Sequence, residues 1–260
     1  MITIDINPVA FSIGPIHVTW YGITVAVAVL TLLAWVWRVR KKSNLSENTI
    51  FTAALVGIIS GIIVSRLLHV IDQWQYYIAN PGKIIGGEGL TIWGAVLGAA
   101  LGVWIYSLIS KNFRFGALGD LIAPGIILAQ AIGRVGCIVN GCCYGLESDA
   151  ICAIIYQNPY SYGPIGIPVL PTQFFEIVYD LFVFGVLLAL RGRFKPAGSL
   201  FLIYLSLYSA WRLFIELLRP GTPFLFGMHQ AQLIGIVVLL ICLPQIALKT
   251  RWVKKEDVIK

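Results

Sequence analysis

Residues 121–145, LIAPGIILAQAIGRVGCIVNGCCYG, decide how the whole chain is to be read. The run from Leu121 is apolar enough to cross a membrane, yet it closes on Arg134 and then passes into a glycine- and cysteine-rich stretch, Asn140 through Gly145. A charge in hydrocarbon costs from a few to more than ten kcal/mol, so an arginine at that depth faces a polar cavity, a partner or a lipid headgroup. Pro124, Gly125, Gly133 and Gly136 around it allow a kink or a close helix approach. Asn140-Gly141 ends the regular helix and leads into a long polar segment at about 140–171.

The rest of the sequence agrees with a membrane setting. Of 260 residues, 58% are hydrophobic and 12% charged, against roughly 45–50% and 25% in an ordinary soluble domain. Apolar stretches near the ~20 residues that span a ~30 Å hydrocarbon layer as helix recur along the chain. The ~10-residue alternating segments of a barrel are not seen. The N-terminus has no basic region ahead of its first apolar run and does not read as a cleaved signal peptide.

Apolar length and chain breakers predict spans at about 18–37, 50–71, 90–110, 118–139, 172–190, 198–218 and 228–248. Fourteen of the 19 basic residues follow the odd-numbered spans: Arg38, Arg40, Lys41 and Lys42; Lys111 and Arg114; Arg191, Arg193 and Lys195; Lys249, Arg251, Lys254, Lys255 and Lys260. The even connections carry only Lys83 and Arg219. The positive-inside rule then puts the N-terminus outside and the C-terminus in the cytoplasm, and seven is the span count that fits the alternation. The formal charge of +7 is therefore a membrane-topology signal, and nucleic acid is not expected as a partner. Trp20, Trp74, Tyr76, Tyr77 and Trp104 fall near span ends, as an interfacial belt does. The expected architecture is all-α: a single polytopic membrane domain, 1–260, with seven transmembrane helices and an outer head or cap at about 140–171.

Three arginines remain, Arg66, Arg134 and Arg212, each inside or at the end of a predicted span. Any one of them could snorkel to the interface. Three together, with Glu176, Asp180 and Glu216 available, point to a shared internal site. Arg212 and Glu216 are four apart on one helical face and can pair. A guanidinium suits forked recognition of phosphate, and phospholipid headgroups supply phosphate at that depth.

At these residues the chain resembles the prolipoprotein diacylglyceryl transferase family. NPVAFSIGPIHVTWYG resembles the family's opening and places Tyr21 at the start of the first span; SRLLHV carries Arg66 in the second. GLTIWGAVLG, DLIAP, GRVGCIVNGCCYG, LPTQFFE and YSAWRLFIELLR follow in the family's order, the last placing Tyr208, Arg212, Glu216 and Arg219. The resemblance implies attack of a lipobox cysteine thiol of a prolipoprotein on the glyceryl carbon of phosphatidylglycerol, giving a diacylglyceryl thioether and glycerol phosphate, in a bacterial cytoplasmic membrane. It implies Arg134, Arg212, Tyr21 and Tyr208 as catalytic residues. Arg134, Asn140, Gly145, Glu216 and Arg66 are the implied substrate-binding residues, with Glu216 orienting Arg212 and Arg66 open to a structural role. No cofactor and no metal are expected.

The chain departs from the family pattern at three polar positions. Trp93 stands where a histidine is usual, Cys137 where an asparagine is, and Cys142 where a glutamate is. Tryptophan cannot accept a proton, so the acceptor is moved or supplied by a hydroxyl, a water or the headgroup phosphate. His69, three residues after Arg66, is a candidate base or a locally bonded interfacial histidine; His17 and His229 read as interface residues. Four of the five cysteines, Cys137, Cys142, Cys143 and Cys152, fall within sixteen residues. They permit a metal site, although their spacing matches no ordinary zinc or iron–sulfur pattern; a disulfide, plain packing and a covalent nucleophile are the other readings. Two rival functions stand beside the transferase: a related lipid transferase with another acceptor, and a lipid or anion transporter. The absence of a convincing internal repeat argues against the latter.

Overall fold

The computed structural model describes residues 1–14, 16–40, 45–84, 89, 91–111, 113–221 and 223–253. Among the basic residues used above for topology, Lys41, Lys42, Lys254, Lys255 and Lys260 lie outside the described residues, as does the side chain of Trp93.

The protein is mainly helical, in the order α1 Trp20–Val39, α2 Glu47–Asp72, α3 Trp74–Ala79, α4 Ile92–Ser110, α5 Phe115–Asn140, α6 Thr172–Leu190, α7 Ser199–Ile215 and α8 Gln230–Lys249. Six of these, all but α3 and α4, are long and apolar enough to cross a membrane; α7 counts together with its 3-10 extension to Leu218. The predicted third span falls on α4, whose described apolar part, Gly94–Ser110, is shorter. Large apolar side chains face outward along these helices, Phe51 at 71% and Leu240 at 69% exposure among them. A surface that apolar is stable only against lipid. This is a polytopic helical membrane protein.

The chain forms two compact units. Unit one comprises Met1–Val39 and Gly119–Lys260, unit two Arg40–Leu118. In unit two, α2 packs on α4 through small residues. A side chain at Gly98 would sit 2.5 Å from the Ser60 carbonyl oxygen, so the two backbones approach as closely as glycine permits. Ser65 Oγ donates to Thr91 O at 2.7 Å at the end of that seam. Ser46 caps α2, accepting from Thr49 N at 3.1 Å.

In unit one the core is Ala123 and Ile127 of α5, Val183 and Leu187 of α6, and Leu200 and Tyr204 of α7. Two polar contacts set the helices' relative positions. Trp35 Nε1 of α1 donates to Leu121 O at 3.0 Å, three residues before Pro124, and its ring covers Gly125 so closely that a Cβ there would lie 2.5 Å from it. The close approach expected around Pro124 is thus made by Trp35. Asp120 of α5 accepts from Gly198 N at 2.7 Å and Phe201 N at 2.8 Å, capping α7 from a neighbouring helix and satisfying donors that a helix start otherwise leaves unpaired. Because α7 carries Tyr208 and Arg212, that cap also fixes the register of the site.

Short strands join the helices, an addition to the all-α expectation that no period-two pattern announces. Strand β1, Ile2–Ile4, pairs in parallel with β4, Ile154–Tyr156, which pairs antiparallel with β5, Pro168–Val169. Strands β2, Val9–Ile13, and β3, Ile16–Thr19, form a hairpin leading into α1. Strands β6, Phe194–Lys195, and β7, Arg251–Trp252, pair beyond α6 and α8. The sheet β1-β4-β5 organises the 140–171 segment around buried Tyr156 and Val169. Burial pushes the Tyr156 phenol up to about 12, against a hydrogen bond from Gln173 that lowers it.

Candidate functional site

The buried side of α6 organises the site. Thr172, Gln173, Glu176 and Asp180 share one face with Val183 and Leu187 at helical spacing, and all six are fully buried. Four of the six residues in this core stripe are thus polar. A buried carboxylate is tolerated only with charged or hydrogen-bonded partners, and Glu176 has three arginines.

Arg212 Nη1 of α7 lies 3.2 Å from Glu176 Oε1, and Arg219 Nη2, from the segment after α7, donates to Glu176 Oε2 at 2.5 Å. Arg134 Nε of α5 lies 3.0 Å from the same Oε2, but its N–H is not aligned to donate. Arg212 Nη2 bonds Glu216 Oε2 at 2.6 Å, the pairing that the four-residue spacing predicts. Arg219 Nη1 stands 3.9 Å, and His229 Nδ1 3.5 Å, from Glu216. This ion-paired set carries three guanidinium and two carboxylate groups, a surplus of one positive charge. Among the described residues Arg134 donates no hydrogen bond to oxygen; its Nη1 reaches only Cys137 Sγ at 4.0 Å. Asp180, one turn beyond Glu176, accepts from Gln130 Nε2 at 3.3 Å and leaves Oδ2 unpartnered.

The turn after α5 closes over this set. Gly141 takes a left-handed φ of +76° beside Ser161, whose Oγ would lie 2.1 Å from any Cβ there. Cys143 is left-handed too, at +60°. The first turn of α6 holds the strained backbone: Gln173 Nε2 donates to Cys142 O and Thr172 Oγ1 to Cys143 O, both at 2.7 Å. Gly145 N donates to Leu170 O at 2.8 Å, and a side chain at 145 would strike Leu170 and Thr172. Gly145 also lines a cleft of about 440 Å³ with Tyr144, Glu147, Pro164 and Pro220. Hydrogen bonds from the Cys137 and Cys142 thiols, with Arg134 and Arg219 near, hold the Cys143 thiol far below the usual thiol range.

The arrangement gathers three guanidinium groups around one fully buried carboxylate and a second, partly buried one, and guanidinium chemistry suits forked contact with a phosphate oxyanion. A family model described as prolipoprotein diacylglyceryl transferase matches residues 8–248. The chain belongs to this family. It is similar to the phosphatidylglycerol–prolipoprotein diacylglyceryl transferase of Dehalococcoides mccartyi, 48% identical over 258 residues and 99% of each chain. The Staphylococcus aureus protein of that name is 36% identical over 251 residues, 93% of this chain and 88% of its own. A Clostridium perfringens protein named as the second such enzyme is 33% identical over 224 residues, covering 85% and 86%.

The residues singled out by the family resemblance divide between the two units. Unit one holds Arg134, Arg212, Glu216, Tyr208, Tyr21, Asn140 and Gly145. Tyr208 of α7 lies in electrostatic range of Arg134, Arg212 and Glu176, and Tyr21 of α1 in range of Arg134 and the cysteines. Gly136 brings Tyr21 there: a Cβ at 136 would fall 1.9 Å from Thr24 Oγ1 and 3.2 Å from Tyr21 Cα. Arg66 belongs to unit two, where it donates to the carbonyls of Lys83, Ile84 and Gly89 and lies over the Tyr77 ring. His69, also in unit two, packs edge-on to Tyr77 and over Gly89. Sequence reasoning placed Arg219 in a connection and His229 at an interface; Arg219 is buried against Glu176, and His229 faces Glu216. The polar stripe Gln173, Glu176, Asp180 at spacings of three and four was the signal for Glu176 as the centre.

Proposed function

We propose that this chain transfers the diacylglyceryl group of phosphatidylglycerol to the lipobox cysteine of prolipoprotein signal peptides, the first step of bacterial lipoprotein maturation. It does so as a seven-span enzyme of the bacterial cytoplasmic membrane, with α4 as the seventh crossing, the N-terminus outside and the C-terminus cytoplasmic. The 140–171 segment forms its outer head. Membrane lipid and the precursor peptide are its partners, and nucleic acid is not.

The observation that carries the reading is Arg134, partly exposed against buried Glu176 and donating no hydrogen bond to oxygen among the described residues, beside Arg212 and Arg219. In the reaction the precursor thiol sulfur forms a bond to the glyceryl carbon as that carbon's bond to the phosphate oxygen breaks. The electron pair leaves with glycerol phosphate, and the thiol proton passes to an acceptor. Charge grows on the departing phosphate, and preorganised cations are most effective where water is excluded. Arg134 and Arg212 meet that charge, Glu176 and Glu216 hold the guanidinium planes in place, and Tyr21 and Tyr208 supply hydroxyl donors from α1 and α7. Asn140 fixes headgroup hydroxyls, and Gly145 keeps the turn low beside the cleft. Arg66 holds the carbonyls ahead of α4. The displacement balances with no redox partner or cofactor.

The test is purified protein in phosphatidylglycerol micelles with a lipobox peptide, following peptide mass and released glycerol phosphate beside a Cys-to-Ser peptide. Cysteine-dependent gain of one diacylglyceryl group is expected. Folded, lipid-bound protein that modifies a different acceptor, or none, overturns the reading.

A further inference from the structure

The phosphate recess makes no use of the three thiols beside it. Cys137 from the last turns of α5 and Cys142 and Cys143 from the turn that follows have sulfur atoms all within 4.8 Å of one another. Their spacing in sequence, four residues and then none, matches no familiar ligand pattern; the left-handed Cys143 folds the turn back so that the third sulfur joins the other two. We propose that Cys137, Cys142 and Cys143 form a three-sulfur site for a soft, thiophilic metal cation.

Three features support it. An ion bonded to each sulfur at ~2.3 Å in a plane sets the sulfurs ~4.0 Å apart, a separation that small side-chain rotations reach from the observed cluster. No histidine, aspartate or glutamate joins the group among the described residues. That donor set selects ions content with thiolates, a monovalent copper-like ion or a zinc-like ion completing its shell with water. The surroundings fit its charge as well. Three thiolates around a divalent cation leave one negative charge, and Arg134 stands 4.0 Å from Cys137 Sγ while Arg219 acts on Cys143. On binding, three sulfur–metal bonds form and the thiol protons leave to solvent. Access is available, since Cys143 is exposed and Cys142 partly so, with Cys137 buried as the floor. Any disulfide within the group strands a third thiol, whereas a metal uses all three. The bound ion ties the turn carrying Asn140 and Gly145 to the end of α5.

Full-length protein purified with a thiol-free reductant is titrated with Cd²⁺ and, separately, Zn²⁺. Thiolate-to-cadmium charge-transfer absorption is recorded, and metal retained after desalting is counted by elemental analysis. One equivalent per chain is expected. C137S, C142S and C143S should each lose stoichiometric retention, whereas C152S and C242S keep it. Helical circular dichroism and melting of each variant show that loss is not unfolding, and exposed Cys143 gives the variant least prone to it. Unchanged retention in folded C143S overturns the proposal, as does retention below one equivalent in the native chain. A disulfide among the three, in protein isolated without reductant and mapped by alkylation and mass spectrometry, overturns it too.

Discussion

Replacing Glu176 tests the arrangement at its centre. The carboxylate is fully buried, accepts from Arg212 and Arg219, and faces Arg134 at 3.0 Å. Two charge-assisted hydrogen bonds at about 1.5–3 kcal/mol each give ~3–6 kcal/mol; removing one partner of a buried ion pair costs ~3–5 kcal/mol. The two routes meet near 4 kcal/mol for Glu176→Ala. Glu176→Gln keeps one carbonyl acceptor and should cost about 3 kcal/mol, which at ~2–4 °C per kcal/mol lowers the melting temperature by roughly 10 °C. The substitution also raises the surplus of the ion-paired set by one positive charge. Phosphatidylglycerol, whose phosphate then takes the place of the lost charge, should stabilise the variant more than the native chain. Melting of detergent-solubilised protein, with and without phosphatidylglycerol, reads both effects, and the transfer assay reads the consequence for turnover. A Glu176→Gln protein that melts and transfers like the native chain would refute Glu176 as the hub.

Arg134→Ala and Arg212→Ala should each abolish transfer while leaving expression and membrane insertion intact, and Arg212→Lys should rescue little because an ammonium lacks the fork; full activity in either alanine variant removes the phosphate-site reasoning. Gly136→Ala should cost on the order of 1–3 kcal/mol by pressing α5 against α1, with reduced turnover through displaced Tyr21. Adding Thr24→Ala should restore part of both losses, since Thr24 Oγ1 is the nearest obstruction; no rescue would place the contact elsewhere. Burial holds the Tyr156 phenol at about 12, above the ordinary phenol value of ~10. The folded 140–171 segment therefore prefers the neutral phenol, and this contribution is complete below about pH 10 and lost as pH rises from about 10 toward 12. Proteolysis of the 140–171 segment should accelerate across that window in the native chain and lose this steep dependence in Tyr156→Phe. A flat native profile would contradict the burial argument.

Much of this was legible in the residues themselves. Six of the seven predicted spans fall on helices long and apolar enough to cross a membrane, because such a crossing is set by local apolar length and needs no knowledge of its neighbours. The Arg212–Glu216 pair was legible for the same reason: four residues on a helix are adjacent wherever the helix goes. Arg134 drew attention as a charge that hydrocarbon does not tolerate alone. The partners of Arg219 and His229 were not legible, because distance along the chain from the span cores said nothing of the direction in which the chain turns after α7.

By itself, then, the sequence determined a polytopic helical membrane protein, a set of arginines at membrane depth and a likeness to one transferase family. Each depends on composition, local periodicity or motif order. Only the tertiary structure decided that Glu176 joins Arg134, Arg212 and Arg219, that Gly136 seats Tyr21 beside them, and that the sulfurs of Cys137 in α5 and of Cys142 and Cys143 in the turn after it converge. Those contacts join α1, α5, α6 and the end of α7. Convergence of that kind is fixed by packing and by the need of each buried charge for a partner, and no spacing along the chain encodes it.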